Sequence, residues 1–193
     1  MAAASLTGHA SNVTGAEWAI TASSAGDGLA HHVTIRNDSA TDHSGKTITL
    51  TGTDASGKAL TETLAAPGSS ATVTSTKAFK VIDSAVPSAT IGASTFDIGW
   101  AATAVSPWVE LNDQLQDFNA SVAVVVGGTI NYDVQHTYDD DLAGAVAFNH
   151  SGMTAGTAND DGQYVCPVRA VRVNVNSHTS GTFEFFVLQG ERP

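Results

Sequence analysis

One cysteine, eight basic residues and no long apolar run set the first limits on this 193-residue chain. The lone Cys166 excludes an intramolecular disulfide framework, which fits a protein made in a reducing cytoplasm better than a small secreted scaffold. Cys166 precedes Pro167 inside an apolar run, with no pattern of basic neighbours to lower its pKa, so it reads as a buried, inert thiol. No segment of 18 apolar residues exists, and the start MAAASLTGHASNVTG has neither a basic n-region nor the apolar core of a secretory signal. The expectation is a chain that is neither exported nor membrane-spanning. Four N-x-[ST] patterns, at Asn12, Asn37, Asn119 and Asn149, then carry no meaning, because Ser and Thr are common enough here to produce them by chance.

Basic residues are scarce in a way that matters. Eight Lys and Arg against nineteen Asp and Glu give a formal charge of -11 and a pI near 4.7, a field that repels phosphates and anionic headgroups. Nucleic acid and membrane surfaces are therefore disfavoured partners. From Val81 to Val168 there is no Lys or Arg, while eleven acids fall there, Glu110, Asp117 and Asp133 among them. Colloidal solubility is the default account of that anionic half, and a basic partner or divalent cations are the alternatives. At this length about 70% of the unfolded surface can be buried, so a core needs no disulfide or metal to hold it.

What is present is alternation. Almost no segment shows the 3.6-residue period of an amphipathic helix, whereas period two dominates, so the chain reads as all-β. HHVTIRN sets Val33 and Ile35 on one face against His32, Thr34 and Arg36, and KTITLTG sets Ile48 and Leu50 against a row of threonines. DHSGK (Asp42 to Lys46) and DASGK (Asp54 to Lys58) each combine an Asp or Ser able to bond local backbone with a Gly able to take positive φ, and predict two turns of a meander. Short strands are expected at Ala71 to Ser75, Ala78 to Asp83 and Thr90 to Trp100.

WAATAVSPW, Trp100 to Trp108, breaks the pattern with small residues and a proline and marks a boundary. Beyond it, Val122 to Val126 form a nearly continuous apolar run. Gly127-Gly128 follows, a hairpin signal, and then Ile130, Tyr132, Val134, His136 and Tyr138 alternate. Val171, Val173 and Val175, then SHTSG, then Phe183, Phe185 and Val187 repeat the theme, and one wide loop spans Asp139 to Gly162. These features describe two antiparallel β-sandwich or jelly-roll-like units, residues 25–105 and 106–193, preceded by an extended N-terminal arm at 1–24.

Candidate chemistry is thin. His31 and His32 are adjacent and face opposite sides of a strand, which is poor geometry for joint ligation. His136 shares a face with Tyr132 and Tyr138 and reads as a packed strand histidine, while His43 and His150 occur in the turn composition HSG. No G-x-S-x-G, H-E-x-x-H or phosphate-binding glycine loop is present, so the reading is non-enzymatic, with no cofactor. The acidic loops YDDDLAG (Asp139, Asp140, Asp141) and NDDG (Asp160, Asp161) offer the oxygens a hard cation takes. They lack Ca²⁺-loop spacing, so solvated turns outweigh a metal site. Trp18, Trp100 and Trp108 are candidate surface anchors, with packing at a core edge the competing account.

Two stretches carry a family resemblance. ITLTGTDASGKALTETL resembles a hairpin of tailed-bacteriophage head and tail proteins, of the form T-G-T-D-x-x-G-x-x-x-T-E. SPWVELNDQLQDFNASVAVVVGGTINYDVQHTYDD, with FNHSGMTAGTANDDGQYVCPVRAVRVNVNS, is similar to the C-terminal half of small phage proteins. Together they span most of Thr47 to Leu188. The resemblance implies a structural subunit of a virion, assembled inside the bacterial cell, that contacts copies of itself, most simply as a trimer, and the major capsid protein or other virion proteins. A capsid decoration protein is the favoured placement. A head-to-tail or tail-associated protein and a receptor- or carbohydrate-binding module are the alternatives. It also casts the Ala-, Ser- and Gly-rich arm as a segment lying across a neighbouring subunit with Trp18 and Ile20 as anchors, and Trp108 as a further partner-binding residue.

Overall fold

The computed structural model describes residues 1–190, and among them fourteen strands and no helix form. The chain is all-β and divides between Ala104 and Val105 into two units.

The N-terminal unit holds β1 (Ser5–Val13), β2 (Ala30–Asn37), β3 (Thr47–Thr53), β4 (Ala59–Ala65), β5 (Thr72–Phe79), β6 (Val81–Pro87) and β7 (Phe96–Val105), the last running across the division. One sheet runs β1-β7-β2-β5 and the other β4-β3-β6. The alternating residues do what their period predicts. Val33, Ile35, Ile48 and Leu50 are fully buried and meet Phe79, Ile82, Phe96 and Ile98 between the sheets. The β3–β4 connection is the expected tight hairpin. Asp54 Oδ1 accepts from the backbone N–H of Ser56 and of Lys58, both at 2.9 Å, and Gly57 takes φ +83°. The matching DHSGK segment is not a second hairpin. It turns through an Asp42 bond to the N–H of Ser44, but it carries the chain from one sheet to the other, since β2 pairs with β5 and β3 with β4 and β6. A turn signature reports local bending and is silent on which strand the next one joins.

Of residues 1–24, Ser5–Val13 form β1, and from Ala2 onward they belong to the N-terminal unit rather than reaching away from it. β1 pairs with β7, Ala10 opposite Ile98 and Val13 opposite Phe96. The approach is close enough that a Cβ at Gly99 would sit 1.8 Å from the carbonyl oxygen of Ser5. Within WAATAVSPW, where the two units divide between Ala104 and Val105, the first residues still belong to a strand. Trp100 to Val105 continue β7, because a small residue with a β-compatible backbone does not end a strand that has a partner.

The second unit holds β8 (Val109–Glu110), β9 (Ala120–Val126), β10 (Thr129–Thr137), β11 (Phe148–Asn149), β12 (Asp160–Tyr164), β13 (Ala170–Ser180) and β14 (Phe183–Gln189). Gly127-Gly128 and the SHTSG turn were expected to close hairpins. Neither does, because β9 pairs with β14 and β10 pairs with β13. Residues 120–137 and 170–189 instead form one long antiparallel ribbon that bends over on itself at the glycines. Its first half, flanked by β12, makes one sheet, and its second half, flanked by β8 and β11, makes the other. Sandwich corners of this kind need backbones that approach closely. A Cβ at Gly128 would lie 2.1 Å from the carbonyl oxygen of Ser180, and Gly181, at φ +88°, would place one 2.5 Å from that of Gly127. Val122, Val124, Ile130, Tyr132, Val134, Val171, Val173 and Val175 fill the space between the halves.

Candidate functional site

The ribbon leaves two distinct outward faces on the second unit, one apolar and one polar. On β12-β9-β14 the register aligns Asp161, Ala123 and Phe186 in one row and Gln163, Ser121 and Leu188 in the next, with Val125 opposite Glu184 beyond. The inward set Phe183, Phe185 and Val187 packs on the core as its alternation predicts. Phe186 and Leu188, on the other face of β14, are 48% and 73% exposed, and Val125 and Val165 are exposed beside them. Two open depressions indent this surface, one bordered by Phe118, Val165 and Leu188 and the other by Ala123, Asp161 and Phe186. Asp117, Asp161 and Glu184 rim it. β14 is also the outer strand of its three-stranded sheet. An apolar strand in that position is an invitation to association, which proteins otherwise blunt with charge or proline. The run FEFFVLQ is apolar at nearly every position, so alternation identified the inward residues without revealing that the outward ones face solvent.

The other face belongs to β8-β13-β10-β11. Gln135 lies opposite both Asn149 and Arg172, and the β8–β13 register carries the line on to Trp108. The Trp108 ring lies 4.3 Å from the Arg172 guanidinium carbon, in cation–π contact. Arg172 Nε donates to Gln135 Oε1 at 2.9 Å, and Gln135 Nε2 donates to Asn149 Oδ1 at 3.0 Å. Trp108, expected as an exposed anchor or a core-edge residue, is half-buried beneath this arginine.

Comparison with family models, with curated proteins and with solved structures finds no match. The assignment of a role therefore rests on the residues themselves.

The remaining candidates fare differently. Trp18, 7% exposed, packs its ring 5.3 Å from that of Phe96, and Ile20 lies against the same core. Both are held within their own unit and are not presented as anchors for a neighbour. Asp139, Asp140 and Asp141 stay on the surface, where Asp139 bonds the N–H of Val146 and Asp140 lies 3.5 Å from Arg169. Asp160 and Asp161 begin β12, in register with Val124 and Ala123 rather than in a loop. No group of three or more His, Cys, Asp or Glu converges as a metal site among the described residues. Cys166 is exposed, against the expectation of burial, because Val165, Cys166 and Pro167 all lie on the surface between buried Tyr164 and Val168.

The histidines are structural fittings. His31, buried, is 2.9 Å from Asp27 and 3.1 Å from the carbonyl of Ala101. Burial alone would push Asp27 upward. The hydrogen bond from His31 and the N–H groups of Ala2 and Leu29 outweigh it and hold the carboxyl well below the usual carboxylate range. His136 sits in an aromatic cluster with Tyr138, Phe148 and Tyr164, with ring separations of 5.2 to 5.8 Å. Burial, then the nearby His150, lowers its pKa.

Proposed function

We propose that this chain is a non-enzymatic structural subunit of a tailed-phage virion that decorates the capsid shell, docking through the outward face of β12-β9-β14. The observation that carries the reading is the exposed apolar surface formed by Phe186 and Leu188 on the outer strand β14 with Val125 of β9 and Val165 just after β12. A soluble monomer gains nothing from it, whereas a subunit that must stick to a shell does. Burying a Phe or Leu side chain is worth about 1.5–3 kcal/mol, so two or three such anchors per copy, repeated over a shell, suffice for retention. The acidic rim selects a partner surface that is apolar at its centre and basic at its edge. Self-association into a symmetric cluster, a trimer in the simplest case, would multiply these contacts.

The test is made on particles. Phe186→Asp with Leu188→Asp places two charges on an exposed face, so the subunit is expected to fold normally and to fall at least tenfold in shell occupancy. Capsids assembled without the protein are expected to form but to lose resistance to heat. Normal occupancy of the double variant, or unaltered heat resistance of the bare capsid, would overturn the reading. Labelled protein seen at one vertex or at the tail would move the same surface to a head-to-tail or tail role.

A further inference from the structure

The polar face of β8-β13-β10-β11 plays no part in the docking described above, and it has an unusual charge imbalance. Among the described residues, Arg36 lies 2.8 Å from Asp38, and Arg169 lies 3.0 Å from Glu110 and 3.5 Å from Asp140. Arg172 has no carboxylate within ion-pair distance among those residues, in a chain with more than twice as many acids as bases. It is half-buried, and burial pushes its pKa down to about 10, so it remains a cation at neutral pH while much of its hydration is lost. A desolvated charge with no counter-charge is costly to keep. The guanidinium is nevertheless held in one orientation, by the Trp108 ring and by its Nε bond to Gln135, itself braced by Asn149. Its two Nη groups make no hydrogen bond to the described residues, leaving the half of the fork that receives a carboxylate in bidentate fashion available.

Around it the sheet presents planar amides. Asn176 Nδ2 donates to Asn131 Oδ1 and to Asp133 Oδ2, both at 2.9 Å, and Asn174 Nδ2 donates to Asn176 Oδ1 at 2.7 Å. Fixed donors and acceptors side by side on a pleated sheet suit vicinal hydroxyls, each of which can donate and accept at once. We propose that this face binds an acidic saccharide, with Arg172 receiving the sugar carboxylate, Trp108 lying beneath it, and the amides around Asn176 engaging ring hydroxyls. A single guanidinium matches one monoanionic carboxylate better than a phosphate, which draws clusters of cations and backbone N–H groups. An acidic peptide fits less well, because the face lacks the apolar centre of protein interfaces and Asp133 would repel a second carboxylate. The inference stands independently of the virion reading.

The test titrates the full chain with glucuronate-containing oligosaccharides, with neutral oligosaccharides of the same length, and with a polyglutamate peptide, following tryptophan fluorescence. Uronate oligosaccharides are expected to give a saturable change that disappears in Trp108→Phe, with neutral sugars at least about tenfold weaker, the factor set by losing a charge-assisted pair. Arg172→Gln is expected to abolish that preference. Should Arg172→Gln not fold, Asn149→Asp, which adds a repelling charge at an exposed position, is expected to weaken uronate binding several-fold without altering the melting temperature. Equal affinity for acidic and neutral sugars, binding of polyglutamate alone, or uronate affinity untouched in the folded variants would overturn the proposal.

Discussion

Three glycine-to-alanine substitutions separate two effects that the bent ribbon combines. Gly144 has φ +76° with nothing within 4 Å of where a new methyl group would sit, so Gly144→Ala carries only the conformational penalty of a left-handed residue, about 1–2 kcal/mol. Gly128 has an ordinary φ, but its methyl would meet the Ser180 carbonyl oxygen at 2.1 Å, a backbone atom that cannot rotate away, so Gly128→Ala carries the overpacking penalty, about 1–3 kcal/mol or more. Gly181 has both problems, φ +88° and a 2.5 Å approach to the Gly127 carbonyl oxygen, and Gly181→Ala is expected to cost about 2–5 kcal/mol, the sum of the two. If the second unit unfolds as its own cooperative block, each kcal/mol moves its midpoint by roughly 4–8 °C. Calorimetry and urea titration of the purified variants give the order directly: Gly181→Ala lowest, and Gly144→Ala nearest the parent. A Gly181→Ala variant no less stable than Gly144→Ala would refute the crossing of the two backbones at this corner, and with it the ribbon description of the unit.

Three further outcomes are expected. Asp27, its carboxyl depressed by His31 and two N–H groups despite burial, contributes stability that is present above the unfolded carboxylate pKa of about 4 and is lost as pH falls below it. Asp27→Asn should destabilise the N-terminal unit by roughly 1–3 kcal/mol at pH 7 and flatten the acid limb of its stability curve, as read by urea unfolding at several pH values. His136 resists protonation when folded but not when unfolded, so the second unit should lose stability as pH falls through about 6.5. His136→Phe should remove part of that slope, and an unchanged slope would show that other groups set it. Cys166, being exposed, should react with one equivalent of a thiol reagent in the native protein without altering the melting temperature; reaction only after denaturation would contradict its placement.

The residues that period two assigned to the core, Val33, Ile35, Ile48, Leu50, Val122, Val134 and Val173, are buried, because alternation on a pleated strand follows from side-chain direction alone. Pairing is different. Gly127-Gly128 and Gly181 carry the composition of hairpin turns, yet they serve a corner, since both situations ask for the same freedom of a missing Cβ. Trp18 and Ile20 looked detachable because their neighbours are small, and the structure seats them against a core to which Phe96, far along the chain, contributes. Arg172 gave no signal at all as a site residue. Its interest lies in the acid that is not beside it, and a missing counter-charge becomes visible only once the strands are in register.

The bent ribbon also sets a schedule for synthesis. Residues 120–137 have their main partners in 170–189, so a ribosome-bound chain that has released the earlier strand holds an unpaired, valine-rich segment until residues 170–189 have emerged as well. Both layers of the second unit then close in one event, from the same zipper. A stop after Val173 would strip β14 from one layer and much of β13 from the other, so chains ending within this ribbon should yield aggregates rather than a smaller folded product.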